Sequence, residues 1–196
     1  MNTKISVLMP SFNQGDFIAS AIESCLSQEQ VGELIIADGG STDSSISKIK
    51  KISVKDSRVR FFSGKDNGPS DALNKALNIS RFDFIAWLNA DDLFKSESLR
   101  RATDLISKNK FKMVYGNGQY IDYNGNFLDF YPTHKPSLGI KGFQDGCFIC
   151  QPTVVISKDL LIQIGCFNTD LKCCFDLDLW FKFSEKGKVV KILTFS

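Results

Sequence analysis

The chain has 196 residues, of which 43% are hydrophobic and 23% are charged, and its formal net charge is +2. This composition excludes a disordered chain, because it supplies enough apolar surface to bury the core of one globular domain. The lysines are scattered along the chain and form no basic stripe, so we expect no nucleic-acid partner.

We expect no export signal in the N-terminal stretch. Its apolar run, "ISVLM", has about five residues, and the apolar region of a signal peptide needs about seven or more. Nowhere does an apolar run reach the length of about 18 residues that a membrane span requires. We therefore expect a cytoplasmic protein, and peripheral contact with the inner face of the membrane is compatible with the sequence.

Six cysteines are present, and "CFIC" at 147–150 has the C-x-x-C spacing of redox and zinc motifs. A zinc site with four ligands would need a second well-spaced pair, and the adjacent Cys173 and Cys174 are a poor one. Cys25 falls on the apolar side of a predicted helix. We interpret the cysteines mainly as small buried hydrophobic residues, with a metal or redox role as the lesser alternative.

The first half of the chain predicts four units of a strand followed by a helix. Each unit has an apolar or β-branched run, a polar loop and then apolar residues at helical spacing. The units are "KISVLMP" with a helix over 16–28, "ELIIAD" with "SISKIKKI", "RVRFFS" with a helix near Pro69, and "FDFIAWL" with a helix over 97–107. Such alternation favours right-handed crossovers and a doubly wound, mostly parallel sheet with helices on both faces.

The pattern changes after Met113. In "MVYGNGQYIDYNGNFLDFY", aromatic and β-branched runs are broken at "NG", which is typical of an antiparallel hairpin. The rest of the chain, "QPTVVIS", "KDLLIQIG", "DLDLWFKFSEKG" and "KVVKIL", predicts a strand, two short helices and a last strand. Without an internal repeat or a low-complexity linker, we predict a single domain over 1–196.

Polar side chains follow each of the four predicted parallel strands. In doubly wound sheets, ligands bind at the carboxyl ends of the strands, where loops and helix N-termini meet. We therefore expect one crevice formed by four groups of residues. These are Ser11 and Asn13, then Asp38, then Lys65 and Asp66, and lastly Asn89 to Asp92.

Asn89 and Asp91 are the candidates for a metal site. Side chains two positions apart on an extended segment point to the same face, so both oxygen-bearing groups should project together. Mg²⁺ or Mn²⁺ bound with phosphates is typically held by one or two carboxylates, with substrate oxygens and water completing the shell. The alternative is that Asp91 and Asp92 solvate a turn or face a helix N-terminus, and the role of Asp92 stays open between support and capping.

Other carboxylates have two interpretations each. Asp38, before "GGSTD", could accept a hydrogen bond from a base or a ribose, or could cap a loop. The "GGS" stretch lacks the lysine and the spacing of a P-loop. Asp71 is favoured by the helix dipole whatever its function. Either Asp176 or Asp178 caps a helix, and the functional alternative is a carboxylate that takes a proton from a hydroxyl nucleophile.

Seven stretches together resemble the successive motifs of the family 2 glycosyltransferases, in order and over nearly the whole chain. They are "ISVLMPSFNQGDFIASAIESCLSQ", "ELIIADGGSTDSS", "GKDNGPSDALNKAL", "FIAWLNADD", "VYGNGQYIDYNGNF", "CQPTVVIS" and "GCFNTDLKCCFDLDLWFKFSEKG". The resemblance implies a GT-A fold, a nucleotide-sugar donor, a divalent metal (Mn²⁺ or Mg²⁺) and inversion at the anomeric carbon. It also implies a nucleotide-binding half over 1–92 and an acceptor-binding half over 93–196.

The resemblance assigns roles residue by residue. Ser11, Asp38 and Asp71 would lie against the nucleoside. Asp91 matches the metal-holding aspartate, and Asn89 stands at the first position of the same motif, beside the nucleotide. Asp176 matches the general base, which takes the proton of the acceptor hydroxyl.

The chain departs from the family pattern at several positions. Gly39 stands where many members have a second aspartate, and Asn89 is a neutral group at the first position of the metal motif. Phe175 occupies a position that is often glutamate, and Cys150 replaces a common histidine before Gln151. The sequence ends in "KILTFS", at about the end of the family's catalytic core, which we interpret as a C-terminal truncation or a minimal enzyme.

The sequence thus predicts a metal-dependent glycosyltransferase that moves a sugar from a UDP-sugar to a hydroxyl of a glycan or lipid-linked acceptor. Cell-surface polysaccharide synthesis is the expected setting. Asn89 and the short C-terminus motivate an alternative, a non-catalytic nucleotide-sugar binding or scaffolding module. A sugar nucleotidyltransferase ranks low, because the first strand leads into "PSFNQGD" and not into a phosphate loop rich in glycine and arginine. The sequence gives no oligomeric state.

Overall fold

A mostly parallel central sheet of seven strands organises the molecule, as predicted. We describe it from a computed structural model, which covers residues 3–133, 143–144, 146–185 and 191–193. The strands are β1 (Ile5–Ser11), β2 (Val31–Asp38), β3 (Val59–Ser63), β4 (Phe84–Trp87), β5 (Met113–Gly116), β6 (Gln119–Ile121), β7 (Phe127–Phe130), β8 (Val155–Ser157) and β9 (Lys191–Leu193). The helices are α1 (Ile18–Leu26), α2 (Ser45–Ser53), α3 (Pro69–Asn78), α4 (Ser98–Asn109), α5 (Lys158–Gln163) and α6 (Phe175–Glu185).

The strand order in the sheet is β3-β2-β1-β4-β8-β5-β9. The first four strands are parallel to their neighbours, and β9 is parallel to β5. Only β8 is reversed, because it runs antiparallel to both β4 and β5. The carboxyl ends of β1 to β4 therefore meet at one edge of the sheet, where a ligand is expected in such folds.

Helices cover both faces of the sheet, because alternate strand residues point to opposite sides. On one face, Leu8 and Trp87 pack with α3, α5 and α6. On the other face, Val7 and Met9 pack with α1, α2 and α4. Burial on both faces explains why the strands read as nearly continuous apolar runs. No helix among the described residues is both long and apolar enough to cross a membrane.

The predicted hairpin is shorter than the sequence pattern suggests. The "MVYG" stretch is fully buried and forms β5 of the main sheet, so only β6 and β7 make a separate antiparallel pair. Their turn includes Gly125, whose φ of +83° is in the left-handed region that favours glycine. The side chains of both hairpin strands are exposed, Phe127 and Phe130 among them.

A buried carboxylate joins the strands at the opposite edge of the sheet. Glu33 of β2 is fully buried and accepts hydrogen bonds from the Ser6 hydroxyl (2.7 Å) and the Arg81 backbone amide (2.7 Å). It also pairs with the guanidinium groups of Arg60 (2.7 Å) and Arg81 (3.0 Å). Burial by itself would raise the pKa of Glu33, but these four donors outweigh it and hold the pKa below its usual value.

Replacing Glu33 tests this junction. We expect Glu33→Gln to lower the free energy of unfolding at pH 7 by about 1–3 kcal/mol, because a neutral amide leaves buried donors poorly paired. The folded-state pKa lies below the usual value of 4.5, so the stabilisation is present above that pH and is lost as the pH falls through the folded-state pKa. Urea denaturation at pH 7 and in acid should therefore show a difference that shrinks in acid.

The matched control is Glu23→Gln, because Glu23 is exposed on α1. This control should unfold like the parent chain at both pH values. A Glu33→Gln variant that is as stable as the parent at pH 7 would count against the junction.

Candidate functional site

A cavity of about 850 Å³ lies at the carboxyl ends of β1 to β4. This is the edge where the polar residues that follow the strands were predicted to meet. The described lining residues are Pro10, Ser11, Phe12, Gln14, Gly39, Gly40, Lys65, Asp66, Gly68, Pro69, Ala72, Asn89, Ala90, Asp91 and Phe175. All of them except Phe175 come from 1–92, so one half of the chain forms nearly the whole cavity.

Asp38 organises the loops beside this cavity. Its Oδ2 accepts hydrogen bonds from the backbone amides of Gly40 and Ser41, both at 2.9 Å, and from the Ser63 hydroxyl at 2.8 Å. Its Oδ1 accepts from the Ser41 hydroxyl at 2.5 Å. The residue is 1% exposed and is not among the lining residues. The carboxylate is therefore engaged with the protein itself, at the base of the glycine loop.

The loops after β1 and β2 interlock at the cavity wall. The Gly39 amide donates to the Ser11 carbonyl (2.8 Å), and the Thr42 amide donates to Asn13 Oδ1 (2.9 Å). Ser11 lines the cavity, and its buried Oγ finds no hydrogen-bond partner among the described residues. Since a buried hydroxyl without a partner costs free energy, Ser11 is well suited to a polar ligand group.

Asn89 to Asp92 form a tight turn and not the extended segment that the sequence reasoning assumed. The Asp92 amide donates to the Asn89 carbonyl at 3.1 Å, which closes the turn directly after β4. Asn89 and Asp91 nevertheless both line the cavity, and Ala90 between them is 2% exposed. Both residues therefore lie at one cavity, where a turn and not an extended segment places them, and their pairing at a metal stays a prediction.

The amide of Asn89 is oriented by its neighbours. Its Nδ2 donates to Asp92 Oδ2 and to Gln151 Oε1, each at 3.2 Å. Gln151 in turn donates from Nε2 to the Trp87 carbonyl at 2.8 Å. With both amide hydrogens used in this way, Asn89 Oδ1 is the atom left for a ligand. The sequence placed Gln151 in the "CQPTVVIS" motif but gave it no role, because its contact with Asn89 spans 62 positions.

Asp92 stands behind the turn and supports Asn89. Burial and the nearby charge of Asp91 raise the pKa of Asp92 to about 6, and the hydrogen bond from Asn89 acts in the opposite direction. Asp91 itself is exposed to the cavity. Of the two adjacent aspartates, Asp91 is thus the one positioned to meet a ligand.

The residues present fit a metal ion that is shared with a substrate. The described part of the chain contains no group of three or more histidine, cysteine, aspartate or glutamate side chains that could hold a metal by itself. Asp91 and the oriented Asn89 Oδ1 supply two oxygen atoms. Two protein oxygens suit Mg²⁺ or Mn²⁺, whose remaining ligands are then phosphate oxygens and water.

Asp71 lies outside the cavity lining, in the first turn of α3. Its Oδ2 accepts from the Asn67 amide (3.0 Å) and pairs with Lys75 (3.0 Å). These two contacts, the amide bond first, lower the pKa of Asp71. Its contacts are those of a residue that fixes the turn before α3, and its predicted nucleotide contact stays a prediction.

Asp176 lies in the first turn of α6, next to the cavity-lining Phe175. Its side chain makes no hydrogen bond or ion pair with the described residues, whereas Asp178 pairs with Lys182 at 2.6 Å. The carboxylate lies near the thiol of Cys147. The pKa of this thiol is raised, mainly by burial and additionally by the negative charge of Asp176. Of the two aspartates in "FDLDLW", Asp176 is therefore the unpaired one.

Two further lining residues were not assigned a role from sequence. Phe12 is 59% exposed and presents an aromatic ring at the cavity. Asp66 belongs to the polar group after β3, and this position at a strand end was the only sequence feature that pointed to the cavity. Phe12 follows β1 and Asp66 follows β3, whereas Asn89 and Asp91 follow β4.

Comparison with known proteins identifies the family. The model of "Glycosyl transferase family 2" matches residues 6–165. The chain belongs to this family. The glucosyltransferase WfgD of Escherichia coli, named for UDP-Glc and α-D-GlcNAc-diphosphoundecaprenol, is 30% identical over 161 residues, which cover 80% of this chain and 61% of that protein.

Two solved structures share the fold. TarS of S. aureus in complex with UDP has a TM-score of 0.76 at 19% identity, covering 99% of this chain and 61% of that one. The mannosyltransferase PcManGT of Pyrobaculum calidifontis, in complex with GDP-Man and Mn²⁺, has a TM-score of 0.76 at 17% identity, covering 97% and 55%. The predicted GT-A fold is thereby confirmed. The chain spans from about a quarter to about three fifths of the length of the curated relatives it matches.

The substitution Asp38→Ala tests whether Asp38 holds the loops beside the cavity in place. The change leaves two backbone amides and two hydroxyls without their acceptor, so we expect the free energy of unfolding to fall by about 2–4 kcal/mol. Chemical denaturation measures this loss, and Asp83→Ala, at an exposed position, is the control. Equal stability of the two variants would show that Asp38 does not support the loops.

Proposed function

We propose that this chain is an inverting glycosyltransferase that moves a sugar from a nucleoside diphosphate sugar, a UDP-sugar first of all, to an acceptor hydroxyl. The observation that carries the proposal is the cavity at the carboxyl ends of β1 to β4. It has Asn89 and Asp91 at the end of β4 and Phe175 beside Asp176 on α6. A polar end suited to a metal-bound diphosphate and a nearby unpaired carboxylate are what sugar transfer requires.

The nucleoside would occupy the part of the cavity formed by the ends of β1, β2 and β3. Ser11 offers an unpaired hydroxyl there, and the exposed ring of Phe12 offers a flat surface for a base. The glycines at 39 and 40 let a ligand approach the backbone closely. Asp38 would contribute through the loop that it holds, and Asp71 through the turn before α3. The complex of TarS with UDP supports this choice of ligand.

Asn89 and Asp91 would hold the divalent metal together with the donor diphosphate. When bound, Mn²⁺ or Mg²⁺ neutralises the charge that develops on the diphosphate as it leaves the sugar. The chain contributes by fixing the two ligand oxygens, since Gln151 and Asp92 hold the Asn89 amide in one orientation. The complex of PcManGT with Mn²⁺ supports the choice of metal.

Asp176 would take the proton from the acceptor hydroxyl. The oxygen freed of its proton forms the new bond to the anomeric carbon, the bond from that carbon to the diphosphate breaks, and the electron pair leaves with the diphosphate. Since Asp176 has no ion-pair partner among the described residues, its carboxylate is available to accept a proton.

The acceptor would be met by the second half of the chain, 93–196, which carries Asp176, whereas 1–92 holds the donor. We propose a glycan or a lipid-linked sugar as acceptor, in cell-surface polysaccharide synthesis. The name of WfgD, which specifies a diphosphoundecaprenol-linked sugar, supports a lipid-linked acceptor. Such an acceptor would bring the protein to the cytoplasmic face of a membrane.

Asp91→Ala tests the metal site. Calorimetric titration with UDP should show binding that depends on Mn²⁺, and the substitution should weaken it at least about tenfold, because the charged ligand oxygen is lost. Asp159→Ala removes a carboxylate from an exposed site on α5 and should leave UDP binding unchanged. If UDP affinity changes neither with Mn²⁺ nor with the substitution of Asp91, this residue does not hold a metal.

Asp176→Asn tests the general base. The amide keeps the shape of the side chain, so UDP affinity should stay within about twofold, while transfer to a panel of glycan and lipid-linked acceptors should fall by about 10²–10⁴-fold. Asp178→Asn is the control, since it breaks only the ion pair with Lys182 and should keep transfer near the parent rate. Full transfer by Asp176→Asn would remove this residue from the role.

A further inference from the structure

The base end of the cavity lacks the carboxylate that sequence reasoning assigned to it. Asp38 already accepts four hydrogen bonds from its own loops and from Ser63, and it is 1% exposed. A base that required this carboxylate would have to compete with all four. The group that recognises the base must therefore be sought elsewhere on the wall of the cavity.

Asp66 lies where a side chain at position 39 would otherwise be. Gly39 has no side chain, and a Cβ added to it would lie 3.0 Å from Asp66 Oδ2 and 3.3 Å from its Cγ. Both residues line the cavity. A carboxylate that comes from the end of β3 thus fills the space next to the end of β2, and the absence of a side chain at Gly39 makes room for it.

One oxygen of Asp66 is anchored and the other is available. Oδ1 accepts a hydrogen bond from the Gly68 amide at 2.9 Å, whereas Oδ2 accepts none from any described residue. The anchored oxygen fixes the direction of the carboxylate. The second oxygen is then a preorganised acceptor on the cavity wall, which lowers the entropic cost of binding a donor group.

We infer that Asp66 recognises the base of the donor by accepting a hydrogen bond from a ring N–H that lies next to a carbonyl. This inference rests on the proposed function and deepens it. Uracil and guanine offer such an N–H, whereas cytosine and adenine present an unprotonated ring nitrogen in its place, which the carboxylate repels. The donor class selected is thus a uridine or guanosine diphosphate sugar.

The alternative is that Asp66 only shapes the turn before α3. Its bond to the Gly68 amide would then be its whole function, and its loss would weaken all nucleotides alike. Recognition predicts instead a change in the ratio of affinities between bases, which a purely structural residue would not alter.

The experiment measures the affinities of UDP, GDP, CDP and ADP in the presence of Mn²⁺ for the parent chain and for Asp66→Ala. The parent should bind UDP or GDP at least about tenfold more tightly than CDP and ADP, since a hydrogen bond to a charged acceptor has about this value. The Asp66→Ala variant should bind the preferred nucleotide about 10- to 100-fold more weakly than the parent does. Its affinity for the other nucleotides should change little. Asp159→Ala is the control for charge loss, and thermal unfolding checks that each variant folds.

A rescue variant locates the carboxylate. In Asp66→Ala the space beside Gly39 is vacated, so the double variant with Gly39→Asp should restore much of the lost preference. Position 39 has no positive φ that would oppose a side chain. A folded double variant with no recovery would overturn the assignment of this space to the base.

The outcomes separate the two proposals. A parent chain that binds none of the four nucleotides would contradict the proposed function. A parent chain that prefers CDP or ADP would overturn the inference about Asp66 but leave the function standing. The inference is equally overturned if Asp66→Ala keeps the parent's ratio between bases, whether the absolute affinities fall or not.

Discussion

The cavity depends on one buried carboxylate, that of Asp38. A carboxylate at 1% exposure is costly unless donors surround it, and here two backbone amides and two hydroxyls do so. Through these bonds Asp38 joins the end of β2 to the end of β3 and fixes the loop of Gly39 and Gly40. The Gly39 amide is thereby held against the Ser11 carbonyl of β1. The ends of three strands thus share one rigid junction, and the cavity opens beside it.

Strand β2 carries a buried carboxylate at each end of the sheet, and the two have different consequences. Glu33 faces two guanidinium groups, a hydroxyl and a backbone amide, so both of its oxygens are paired within the protein. Asp38 faces only neutral donors of its own loops and of β3. The charge at the first edge is neutralised inside the protein, whereas the second edge keeps Asp66 and Asp91 turned to the cavity. The cavity lies at this second edge of the sheet.

The sequence was sufficient for the features that depend on local periodicity. The four strand-and-helix units and the polar strand ends followed from apolar spacing, because both faces of a parallel sheet are buried. It was insufficient where distant residues meet. The reversed strand β8 lies between β4 and β5, and no local pattern predicts this insertion. For the same reason, the contact of Asn89 with Gln151 and the approach of Asp66 to Gly39 could not be predicted. Asp38 was predicted either to contact the nucleoside or to cap a loop, and in the structure its hydrogen bonds come from its own loop and from Ser63 of β3.

The hydrogen bonds of Asn89 explain how a neutral amide can serve at the first position of the metal motif. Asn89 donates both of its amide hydrogens, one to Gln151 and one to Asp92, and these two hydrogen bonds fix the orientation of its Oδ1. At the turn after β4 the protein offers one carboxylate, that of Asp91, and one neutral amide oxygen, that of Asn89, which are too few groups to hold a divalent ion by themselves. Under the proposed function, the ion must therefore arrive with the diphosphate of the donor or bind only after it. Metal affinity and donor affinity then become a single coupled quantity, so that the same turn after β4 that holds the ion also selects for a diphosphate.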